Sequence, residues 1–110
     1  MAPNLVNYIE KRNLGWKEDN EGLLIFVGGG SDPAVVAAAV TGAVEEGKRV
    51  RLRAIGASAV NQAVKGTAIS RAQVANRFSL MFSPWFQELW DEKEEKRFTA
   101  MVLSVVVRAK

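Results

Sequence analysis

The chain's hydrophobic positions change period several times, and each change predicts an element. Residues 22–28, GLLIFVG, form a short apolar run bounded by glycines, the pattern of a buried strand. After GGGSDP, Val35, Val36, Ala39, Val40, Ala43 and Val44 recur at helical spacing. Ser31 or Asp32 can cap that helix, Pro33 fits its first turn, and Gly47 ends it. Residues 48–55, KRVRLRAI, alternate with period two: Val50, Leu52 and Ala54 on one side, Arg49, Arg51 and Arg53 on the other. A turn at Gly56 leads into a helix over residues 57–77. Ser58 is its candidate cap, and Val60, Ala63, Val64, Thr67, Ala68 and Val74 form its apolar stripe.

Alternation returns over residues 78–86, FSLMFSPWF, where Pro84 marks a strand end, bulge or edge. Residues 91–97, DEKEEKR, read as a charged hairpin loop. Residues 97–108 read as a last strand, apolar on both faces over 101–107 except at Ser104. Such a strand is central in its sheet or covered by a second subunit, so a homodimer or higher homo-oligomer is expected. Residues 1–21 read as an N-terminal extension, a short helix opened by Pro3 with Leu5, Val6 and Ile9 on one face and stopped by Gly15. It is expected to dock on the domain by that face, with a partner- or subunit-contacting arm or a disordered segment as the alternatives. The remainder, 22–110, is one α+β domain of two layers: a sheet with two helices on one face.

Charge sharpens this picture. The formal net charge is only +3, but its distribution is uneven. Lys48, Arg49, Arg51, Arg53, Lys65, Arg71 and Arg77 occur between positions 48 and 87 with no Asp or Glu among them. Clustered charge of one sign attracts polyanions. On a strand, same-face positions lie roughly 6–7 Å apart, so the three arginines form a row spaced comparably to phosphates. The alternative is an ordinary solvated strand face whose arginines pair with acids elsewhere, such as Glu45, Glu46 or those near Glu94. Candidate nucleic-acid contacts are therefore Arg49, Arg51, Arg53, Lys65 and Arg71, with Ser58, Asn61 and Gln62 at the start of the second helix. Amides there can hold phosphate oxygens, base edges or the neighbouring loop. Trp85 and Trp90 are able to stack on bases, although aromatics at strand ends more often serve a core or subunit interface.

Composition removes other classes. The chain has no Cys and no His. Disulfides, zinc fingers and Cys–His or Ser–His–Asp catalysis are thereby excluded. The glycine-rich turn at 28–32 lacks the Lys-Ser/Thr pair of a phosphate loop, and Asp32 sits where phosphate would, so it reads as a connection with a helix cap. No apolar run is long enough to span a bilayer, and the first residues lack a signal-peptide pattern. The expectation is a cytoplasmic, non-enzymatic protein without metal or cofactor and without a membrane partner, binding DNA or RNA. An oligomeric protein-interaction scaffold is the alternative.

Three segments also carry a resemblance: the Ser/Asp-Pro helix start and small-residue helix over 31–47, AIGASAVNQAVK over 54–65, and AISR over 68–71. With RFTAMVLSVVV after a charged turn, they resemble the stage V sporulation protein S family over about residues 23–110. That family is similar in fold to the Alba proteins, small dimeric chromatin and RNA binders. The resemblance implies an Alba-like β-α-β-α-β-β order, a regulatory nucleic-acid-binding role and no enzymatic activity. Two departures stand out. The loop 56–58 carries no charge, and the hairpin 91–97 is net −1, three bases against four acids. Insertion of that hairpin into a DNA groove is therefore disfavoured.

Overall fold

The period changes correspond to real elements. The computed structural model describes Leu5, Ile9 and residues 14–110. Within them run β1 (Gly15–Asp19), β2 (Gly22–Val27), α1 (Pro33–Glu45), β3 (Val50–Ala54), α2 (Ala57–Gln73), β4 (Phe78–Asp91) and β5 (Lys96–Ala109). The five strands make one sheet in the order β1-β2-β3-β5-β4. Parallel β2 and β3 are joined by α1, while β1/β2, β3/β5 and β4/β5 pair antiparallel. From β2 onward the order is β-α-β-α-β-β, and the fold is α+β in the Alba-like arrangement.

The alternating pattern dictates which side of the sheet is covered. Leu23, Ile25, Val27, Val50, Leu52, Ala54, Leu80 and Leu103 are buried with α1 and α2 in one core. Burial of such side chains stabilises a domain by about 1.5–3 kcal/mol each. Asp32 caps α1 by accepting a hydrogen bond from the Ala34 amide at 2.9 Å. Ser31 instead closes the preceding loop, its Oγ accepting from the Gly28 amide at 2.9 Å.

α2 differs from its expected form in three ways. It ends at Gln73, and the chain continues through turns to Arg77. Its cap position is Gly56, with φ of 89°, and Ser58 lies inside the helix without a capping bond. Its most buried residues are Ala59, Ala63, Gly66, Thr67 and Ser70, whereas Ala68 is exposed and Val60 and Val64 are half-buried. The cause is close approach to α1: a Cβ at Gly66 would lie 2.5 Å from Val36 Cγ1. The two helices meet through small side chains, and a Thr41–Ser70 hydroxyl bond of 2.8 Å ties them.

The N-terminal region departs further from expectation. Of the expected helix only Leu5 and Ile9 lie among the described residues, and both are helical and buried in the core. Gly15 opens β1, which hydrogen-bonds along β2 as an edge strand of the sheet. Asp19 and Gly22 face each other across the turn Asn20–Glu21, and Gly22 takes φ of 105°. Pro84 lies in β4, the other edge strand, where a missing N–H is tolerated. β5 is internal, which accounts for its apolar run. Its turn from β4 is held by Asp91 Oδ1, which accepts from the Lys93 and Glu94 amides.

Candidate functional site

Because side chains alternate across a strand, residues paired in register share a face. Phe26 pairs with Arg53, Arg53 with Val102, and Val102 with Trp85. These four form a row across the face opposite the helices. The next row holds Lys17, Leu24, Arg51, Ser104 and Ser83. Among the described residues no element covers this face.

The arginine row is chemically uneven. Arg49, one residue before β3, is exposed. Arg53 lays its guanidinium 4.6 Å from the centroid of the Phe26 ring, a cation–π contact. Arg51 is held by acids from the β1–β2 turn. Its Nη2 donates to Asp19 Oδ1 at 2.8 Å and Oδ2 at 3.0 Å, and its Nη1 lies 3.3 Å from Glu21 Oε2. That contact, with a hydrogen bond from the Glu21 amide, holds the Asp19 carboxyl below its ordinary value of 3.8. Arg51 Nε is buried without a hydrogen-bond partner among the described residues.

A shallow groove runs beside this clamp, lined by Asp19, Asn20, Glu21, Arg51, Trp85 and Gln87. The Trp85 indole N–H donates to Ser104 Oγ at 2.9 Å, which draws the ring over β5. Trp85 remains 41% exposed, while Val102 between it and Arg53 is 1% exposed. Val102 thus lies buried in the row between Arg53 and Trp85.

The other candidates lie elsewhere. Ser58, Asn61, Gln62, Lys65 and Arg71 belong to α2, on the helix layer at the opposite side of the sheet. The eight expected residues therefore do not form one surface. Gln62 is engaged with the neighbouring loop, its Nε2 donating to the Ser31 carbonyl at 3.0 Å. Ser58 packs near Gly29. Lys65 and Arg71 are exposed, with Arg71 beside a cleft between α2 and β4.

The acid-free stretch is thus partly compensated in space. Lys48 pairs with Glu18 at 3.2 Å, Arg77 with Glu45 at 3.1 Å, and Arg51 with Asp19 and Glu21. Arg49, Arg53, Lys65 and Arg71 make no ion pair among the described residues. The sequence reading missed Asp19, Glu21 and Gln87 as neighbours of the arginine row. The available signal was the Asp-Asn-Glu-Gly run at 19–22, a turn composition between two segments able to pair.

The fold and this half-open sheet define the class first: a two-layer α+β domain of Alba-like order with one covered and one bare sheet face. The stage V sporulation protein S family model matches residues 24–108, and the chain belongs to that family. It is a small protein of a sporulation-related family. The match begins inside β2, so β1 and the turn carrying Asp19 and Glu21 precede the matched segment.

Proposed function

We propose that this is a small regulatory nucleic-acid-binding protein whose contacts are largely to phosphates and tolerant of sequence. The observation that carries the proposal is the bare sheet face, where Arg49 and Arg53 make no ion pair among the described residues and Arg108 lies on the same side of β5. Contacts of this kind fix position without reading sequence. The protein acts as a binder in the cytoplasm, without an enzymatic step. No helix among the described residues is long and apolar enough to cross a membrane. Lys65 and Arg71 stand apart from this surface, exposed on α2 at the opposite side of the sheet. The test is fluorescence anisotropy with labelled duplex DNA, single-stranded DNA and RNA over a salt series. A Kd of about 10⁻⁴–10⁻⁶ M at physiological salt, weakening steeply as salt rises, is expected. A folded protein that binds none of them at low salt refutes the proposal.

A second reading, an oligomeric interaction module, is favoured by a specific observation. β4 is an edge strand whose Met81, Phe86 and Trp90 are exposed, with Phe86 72% accessible. Apolar exposure along an unpaired edge suits pairing with a second copy. A homodimer joined there is compatible with nucleic-acid binding, since the bare face stays open. Sedimentation of wild type against Phe86→Lys tests it: a dimer that becomes a monomer supports this edge, and a monomeric wild type removes it.

A further inference from the structure

The bare face carries more than cations. Trp85, Arg53 and Phe26 stand in one register row, with Arg53 and Trp85 separated by the single strand β5. At the usual strand spacing their positions are roughly 10 Å apart. Both present flat surfaces. The indole's only hydrogen-bonding atom is already used on Ser104 Oγ at 2.9 Å, so what Trp85 offers a ligand is π surface. The Arg53 guanidinium, on the Phe26 ring at 4.6 Å, offers a charged plane. Beside Trp85 the groove adds the amides of Asn20 and Gln87 at its rim.

We propose that this face binds single-stranded nucleic acid, with one base stacked on Trp85 and a neighbouring nucleotide packed on the Arg53–Phe26 pair. This rests on the nucleic-acid-binding proposal above and narrows it to the unpaired strand. A duplex keeps its base faces inside its own stack and shows a protein only phosphates and groove edges. It has nothing to lay on an exposed indole. An extended single strand offers both a π face for each base and a phosphate for Arg53 and Arg49. Stacking tolerates every base, which suits a face without a fixed set of donors for one base edge. The groove beside Trp85 takes the edge of the stacked base, where the amides of Asn20 and Gln87 meet its donors and acceptors. Arg51, already clamped by Asp19 and Glu21, serves as a wall of that groove rather than as a phosphate ligand.

The test uses the full chain with three labelled probes at equal length and salt: oligothymidylate, oligouridylate and a mixed-sequence DNA duplex. Anisotropy gives affinity, and quenching of tryptophan fluorescence reports stacking. The expected result is tighter binding of the single strands than of the duplex. Trp85→Ala then weakens single-strand binding about ten-fold, with the salt slope and duplex binding unchanged. Trp85→Phe, which keeps an aromatic face, retains most of the affinity, and a wild-type circular dichroism spectrum for both variants excludes misfolding. The two single-strand probes separate DNA from RNA as the preferred ligand. Equal or tighter duplex binding, an unaffected Trp85→Ala, or a Trp85→Phe as weak as the alanine variant overturns the inference. In those cases salt-dependent binding still leaves the broader function standing, whereas absence of binding to all three probes removes both.

Discussion

Arg51 and Asp19 meet across the intervening strand β2, the Nη2 of one held 2.8 Å and 3.0 Å from the two carboxylate oxygens of the other. The contact joins the centre of the basic row to an edge strand preceding the family-matched segment. It divides three arginines that look equivalent in sequence into two available cations and one that is engaged.

Releasing Arg51 should therefore strengthen polyanion binding. Asp19→Asn/Glu21→Gln leaves the turn nearly the same shape and removes both negative charges that hold Arg51. The expected outcome is tighter binding at low salt and a salt slope steeper by roughly 0.7 for a single strand, the effect of one added phosphate contact. Anisotropy over a salt series reads both quantities.

The same pair has a pH signature. The Asp19 carboxyl is held low, so its folded value lies below the unfolded one. A depressed carboxyl contributes stability above the unfolded value, and that contribution is lost as pH falls through the folded value. The clamp should thus be intact at neutral pH and open only below the ordinary carboxylate value of 3.8. An NMR titration of the Asp19 side chain should give a midpoint under 3.8, and Arg51→Ala should raise it.

Helix packing gives a prediction independent of binding. Alanine in place of Gly66 gains helix propensity of about 1 kcal/mol, but its Cβ would lie 2.5 Å from Val36 Cγ1 and 3.3 Å from the Pro33 carbonyl oxygen. Overpacking of this kind costs about 1–3 kcal/mol. Gly66→Ala is expected to lower Tm despite the better propensity, and a thermal melt decides the sign.

Much of the fold was legible because its elements bury one side. The alternation at 50–54 predicted both β3 and the outward side of its arginines, and the Asp-Pro start located α1. β1 escaped because an edge strand needs few apolar residues: only Trp16 of its five packs against the core. The face of α2 was misjudged at Ala68 because propensity and hydrophobicity do not register how closely a neighbouring helix approaches, which turns the helix on its small residues. For the site, the arginine row was visible and its partners were not. Asp19 and Arg51 are 32 residues apart, and only the strand order β1-β2-β3 brings them together. The separation of Lys65 and Arg71 from the row likewise follows from the layer arrangement, which charge counting along the chain does not contain.

The most direct measurement compares the two faces. Arg49/Arg53→Ala and Lys65/Arg71→Ala each remove two cations, from the sheet face and the helix layer respectively, and should be run beside wild type over a salt series with a single-stranded probe. If the bare sheet face is the principal binding surface, the first variant loses affinity and its salt slope falls by roughly 1.4, while the second stays close to wild type. The reverse pattern, with the helix variant losing affinity and the sheet variant unchanged, contradicts the account.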